Sequence, residues 1–144
     1  MKLRPFLLIS LLMSPLLAAF GRAESLKVGD PAPVVSGLTD SGETLNLGDV
    51  YKAHTYTVVF FYPKALTGGC TKQGCSLRDA NTELAKQGVA IVGVSTDPVE
   101  KQKEFKEVNH FPFPLISDTD KKVIKAFGQS VLVVASRECY VIKD

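Results

Sequence analysis

No apolar run in this 144-residue chain is long enough to span a membrane. The longest, Pro5 to Phe20, is broken by Pro15 and falls short of the roughly 20 apolar residues that a spanning helix needs. Lys2 and Arg4 precede it and the small-x-small tripeptide Gly21-Arg22-Ala23 follows it, so the run reads as an export signal cleaved after Ala23. Residues 1–23 are therefore expected to be a signal peptide. The mature domain, 24–144, is expected in a periplasm, an organelle lumen or the secreted space, without stable membrane insertion after cleavage. Basic clusters are also missing. Removing the leader takes three of the 17 lysines and arginines and none of the 15 acidic residues, which leaves a nearly neutral chain. Nothing in it would follow a phosphate backbone, so no nucleic acid partner is expected. Histidine is scarce: His54 and His110 lie far apart and show no metal-ligand spacing with the cysteines. Ordinary surface or structural roles suit them, and no metal or other cofactor is expected. Internal repeats and low-complexity linkers are absent, as suits one compact domain.

What the chain does have is three cysteines, two of them, Cys70 and Cys75, five residues apart. So small a disulfide loop would remove little entropy from the unfolded chain, which favours a chemical role over a structural staple. Outside the cytosol a dithiol tends to be oxidised, so an exported redox pair needs its own supply of electrons.

The order of elements predicts a layered α/β domain. Lys27 to Pro33 is an extended lead-in, held so by its prolines. Thr39 to Gly42 forms a turn between short segments around Val34 and Leu45. Thr55 to Phe61 (TYTVVFF) and Val89 to Val94 (VAIVGV) read as strands covered on both faces. Between them Leu77, Ala80, Leu84 and Ala85 recur at helical spacing until Gly88 supplies a stop. Asp97-Pro98-Val99-Glu100 is expected to open a helix with an acidic cap. A short apolar stretch ends FPFPLIS, Asp118 to Asp120 caps a helix closed by Gly128, and Cys139 to Ile142 forms a last strand. Phe60, Phe61 and Tyr62 belong to the core, with an apolar wall near the thiol as a by-product.

The informative block is FFYPKALTGGCTKQGCSLRD, Phe60 to Asp79, in which a buried strand runs through Pro63 into a loop and Cys70 falls at the start of a helix. Free backbone N–H groups and the positive end of the helix dipole favour thiolate at such a position. Cys70 is expected to be reactive.

Pro63, Thr67 and Cys70 reproduce a signature of proline, three residues, threonine, two residues, cysteine. With Cys75, Arg78-Asp79, GVSTDPVE and FPFPLISDTD, the chain resembles the peroxiredoxins of the Q or bacterioferritin-comigratory type over nearly all of Leu26 to Asp144. The resemblance implies a thioredoxin-like fold, a central mixed sheet flanked by helices. It implies that Cys70 is the peroxidatic cysteine, attacking hydrogen peroxide or an organic hydroperoxide, and that Cys75 resolves the sulfenic acid as an intramolecular disulfide. A thioredoxin-like or other dithiol reductant would close the cycle. Peroxide would bind among Pro63, Thr67, Gly69 and Arg137, with Thr67 and Arg137 stabilising charge on the leaving oxygen. Arg137 is carried over from the family's Arg-x-Thr-Phe strand. Arg78-Asp79 is expected either to orient Arg137 or to form a helix-surface ion pair. A resolving cysteine within the chain makes a monomer the expected state.

Geometry adds a constraint. On an intact helix Cys70 and Cys75 would have Cα atoms roughly 8 to 9 Å apart, whereas a disulfide needs less than about 7 Å. The first turns after Gly69 are therefore expected to unwind when the disulfide forms.

Three departures from the family pattern stand out. Gly68 replaces a proline and loosens the loop. Cys139 replaces a threonine, two residues from Arg137, and is expected to be a small buried hydrophobe. The chain stops where the family continues into another strand and a terminal helix, so an exposed sheet edge and face are expected. Two other readings stay open: a thioredoxin-like disulfide-exchange or copper-handling module, and a non-catalytic exported domain with one small disulfide loop. Exchange modules usually space their cysteines two or three residues apart, and copper would need histidine or methionine arranged with them.

Overall fold

The structure, a computed structural model, describes residues 26–130, 132 and 134–143. The expected signal peptide, 1–23, lies outside the described residues. A six-stranded mixed sheet forms the centre, in the order β2-β1-β5-β4-β3-β6. Its strands are β1 (Ser36–Thr39), β2 (Thr44–Asn46), β3 (Tyr56–Phe61), β4 (Val89–Ser95), β5 (Leu115–Ser117) and β6 (Cys139–Lys143). β3, β4 and β5 run parallel to one another, while β1 and β6 pair antiparallel to β5 and β3.

Among the described residues four helices cover the sheet: α1 (Leu47–Ala53), α2 (Gly68–Lys86), α3 (Val99–Asn109) and α4 (Lys122–Ala126). Because side chains alternate across a strand, β3 feeds two cores. Val59 and Phe61 pack with Val92, Val94 and residues of α1 and α4. Val58 and Phe60 pack with Ile91, Phe105 of α3 and Cys70 of α2. The second core carries the candidate chemistry.

Local signals behave largely as expected. Gly88 ends α2 at φ +74°, where any Cβ would also meet the Thr55 hydroxyl at 2.8 Å. Lys121, in left-handed conformation, takes the cap position of α4 rather than the expected Asp118–Asp120, but Asp118 still receives the N–H of Val123 at 2.9 Å and of Ile124 at 2.7 Å, one on each carboxylate oxygen. The seven-residue α1 has no counterpart in the sequence reading; Asn46 starts it by accepting from the Asp49 N–H. The expected cap of α3 is corrected. Pro98 occupies the cap position, no side chain bonds the helix start, and the Asp97 carboxylate points elsewhere.

Candidate active site

β3 ends at Phe61, and Tyr62 and Pro63 lead into the loop before α2. Thr67 occupies the N-cap position with extended backbone, and Cys70 sits in the first turn. The thiol is 1% exposed, packed in the same cluster as Tyr62 and Ala65. All three cysteines are free.

Arg137 approaches from the loop before β6. Its Nη2 donates to Cys70 Sγ at 3.5 Å, and its Nη1 donates to Gln73 Oε1 at 2.8 Å. Gln73 stands one helical turn beyond Cys70 on the same face, and its Nε2 also reaches the Phe61 carbonyl at 3.4 Å. Of the two roles expected of Arg78-Asp79, the helix-surface ion pair is formed and the contact with Arg137 is not. Arg78 instead bonds Asp79 and donates Nη1 to the Asn109 carbonyl at 2.8 Å, and the Asp79 contact raises its already high pKa. Gln73 is a partner of Arg137 at the site that sequence reasoning missed. Its three-residue spacing from Cys70 was the available signal.

Gly69 has a spatial reason. A Cβ there would lie 3.1 Å from Arg137 Nη2, whereas one at Gly68 would meet nothing within 4 Å. Thr67 differs from expectation in one respect, since its Oγ1 donates to the Lys64 carbonyl at 2.9 Å. With that proton engaged, the Thr67 hydroxyl oxygen keeps only acceptor capacity, and the Arg137 guanidinium is a donor that touches the sulfur. Pro63 terminates the strand and fixes the direction of the loop.

Cys75 lies further along α2, half-buried against the second core. Its Sγ donates to Asn109 Oδ1 at 3.7 Å, and Asn109 is held in turn by its Nδ2 bond to the Phe105 carbonyl at 2.9 Å. Both cysteines therefore ride on one unbroken helix. Cys139 corrects the expectation of burial: it is exposed at the start of β6, an edge strand on which Val141 is also exposed. The histidines lie at helix ends, His54 on the Val50 carbonyl after α1 and His110 in left-handed conformation after α3.

A model of the AhpC/TSA family matches residues 28–144. Peroxiredoxin Bcp of Escherichia coli K12 is 47% identical over 103 residues, which cover 72% of this chain and 65% of that protein. Peroxiredoxin Bcp of Bacillus subtilis is 41% identical over 103 residues, 72% of this chain and 64% of its own length. Among solved structures, Mycobacterium tuberculosis peroxidoxin BcpB superposes with a TM-score of 0.75 at 36% identity, covering 82% of this chain and 79% of that one. A cysteine mutant of Xanthomonas campestris peroxiredoxin Q gives 0.68 at 30%, covering 76% and 73%.

Proposed function

The chain belongs to the AhpC/TSA family, and from that membership we propose that it is a thiol peroxidase in which Cys70 takes the peroxide and Cys75 resolves the product. The observation that carries this reading is the buried Cys70 sulfur in the first turn of α2, met by the Arg137 guanidinium. The Cys70 thiolate attacks one peroxide oxygen, an S–O bond forms and the O–O bond breaks. The departing hydroxide or alkoxide takes a proton and leaves as water or alcohol, and the guanidinium stabilises the charge that develops on it. The Cys75 thiolate then attacks the sulfenic sulfur, forming the disulfide and expelling hydroxide, which leaves as water.

The second step requires movement. Five helical residues hold the two Cα atoms roughly 8 to 9 Å apart, beyond the reach of about 7 Å for a disulfide. The turn carrying Cys70 unwinds, and Cys75 leaves Asn109. An external dithiol of thioredoxin type reduces the disulfide. The expected leader, residues 1–23, supports export of this enzyme, and a resolving cysteine within the chain supports action as a monomer.

The test is a pair of variants followed by mass spectrometry after one equivalent of hydrogen peroxide. Cys70→Ser loses peroxide consumption, and Cys75→Ser accumulates a trappable sulfenic acid on Cys70. Retained consumption in Cys70→Ser refutes the assignment.

A further inference from the structure

The loop joining β3 to α2 contains Leu66 at φ +63°, a left-handed conformation that side chains with a Cβ resist. Leu66 is 38% exposed, so core packing does not impose it. Such a conformation persists where neighbouring bonds over-determine it. Two bonds bracket Leu66. On one side the Ala65 N–H donates to Asp97 Oδ2 at 2.7 Å, and on the other Thr67 Oγ1 donates to the Lys64 carbonyl at 2.9 Å.

Asp97 is itself fixed from several directions. Ser95 Oγ donates to the same carboxylate oxygen at 2.7 Å, the Asp97 N–H donates back to Ser95 Oγ at 3.2 Å, and Ser117 Oγ donates to the Asp97 carbonyl at 2.8 Å. Behind Ser95 lies Gln102, 0% exposed. Its Nε2 donates to Ser95 Oγ and to the Ile116 carbonyl, each at 2.8 Å, and its Oε1 accepts from the Tyr62 hydroxyl. Tyr62 packs in the cluster that contains Cys70. A satisfied polar network thus runs from the buried face of α3 to the backbone one residue ahead of the strained position. Networks of this kind hold one geometry firmly, because a broken member leaves a buried partner without a bond.

We propose that Asp97 is a positioning residue for peroxide capture: its carboxylate pins Ala65 and makes Leu66 the fixed pivot from which the Cys70 turn swings. The proposal rests on the peroxidase reading of Cys70. On the strand side of Leu66 the chain stays attached through Asp97 to Ser95 at the end of β4 while the helix side unwinds and returns. Without the pin, Leu66 relaxes toward an ordinary φ and carries Thr67 and the start of α2 away from Arg137.

The test uses the full chain in a Cys75→Ser background, with quenched mass spectrometry reading Cys70 oxidation by hydrogen peroxide and amide exchange reading order in the reduced protein. Asp97→Ala is expected to slow capture about tenfold, a loss typical of misplaced reacting groups. Exchange should accelerate over residues 65–71 and stay unchanged in β3 and β4. Asp97→Asn, whose side-chain oxygen can accept the same two bonds, is expected to keep at least about a third of the parental rate. Ser95→Ala, which keeps the Ala65 bond but frees the carboxylate, should fall between them. Asp97→Ala capturing at the parental rate overturns the proposal, as does a loss shared equally by the asparagine variant with exchange rising throughout the sheet. A parental protein whose Cys70 ignores peroxide refutes the peroxidase reading first, and this role with it.

Discussion

Gln73 and Arg137, 64 residues apart in sequence, meet at 2.8 Å, and that contact holds a second guanidinium nitrogen of the same arginine on the Cys70 sulfur. A long, partly exposed arginine has many rotamers, so one neutral acceptor on its far nitrogen does much to keep it at the thiol. Gln73→Ala is expected to slow peroxide capture roughly five- to tenfold, the worth of about one hydrogen bond. Thermal stability should change little. Gln73→Glu, which retains the acceptor, should keep most of the rate, and quenched mass spectrometry of Cys70 oxidation measures both.

The two glycines before Cys70 separate stability from chemistry. Neither requires a left-handed backbone, so alanine at either position is expected to stabilise the fold by about 0.5 kcal/mol through the unfolded chain. Gly68→Ala meets open space and should leave capture unchanged. Gly69→Ala places a methyl 3.1 Å from Arg137 Nη2 and displaces the guanidinium. Capture should then fall about tenfold or more. Equal rates for the two variants would count against the Arg137 role.

Much of this site was legible in the chain. The strand, proline, loop and helix order of Phe60 to Asp79 placed Cys70 at a helix start, because buried strands and glycine or proline stops leave strong local signals. The partners of the cysteines were less legible, since they arrive through tertiary contacts. Gln73 lies beside Cys70 in sequence, yet its role exists only because the loop before β6 brings Arg137 to it. Asp97 carries the sequence pattern of a helix cap but spends its carboxylate on Ala65, a residue 32 positions away. Cys139 reads as core because cysteine usually is, and becomes exposed because β6 lies at the sheet edge.

Asn109 holds the Cys75 thiol, so under the proposed mechanism it should restrain the disulfide-forming step. Asn109→Ala removes the acceptor of the Cys75 bond while keeping the backbone carbonyl that anchors Arg78. Disulfide formation after peroxide addition is expected to become about threefold faster, as fits loss of one weak bond to sulfur. Overoxidation of Cys70 should fall in parallel. Slower resolution would show instead that Asn109 presents Cys75 for attack.

Cys139 offers a pH test outside the reaction. Its thiol is reachable, but desolvation by its surroundings raises its pKa, so little thiolate forms near neutrality. In a Cys70→Ser, Cys75→Ser background, iodoacetamide labelling of Cys139 should be slow at pH 7 and climb steeply above pH about 9, past the ordinary thiol value. Rapid labelling at pH 7 would contradict that environment.

Asp118 links fold stability to pH in a direction opposite to that of most paired carboxylates. Burial raises its carboxyl pKa, an effect that outweighs the Ile124 and Val123 N–H bonds favouring the ionised form. A raised folded value means that its proton-linked contribution is complete below the unfolded value of about 3.9 and is lost as pH rises through the folded one. Asp118→Asn cannot titrate and turns one donor toward a backbone N–H, so it should destabilise by about 1–2 kcal/mol. The gap between the two proteins, measured by urea unfolding, should be widest near pH 3 and narrow toward pH 7. A gap that widens with pH would mean that the two backbone bonds outweigh burial and that the ionised carboxylate is the form the fold prefers.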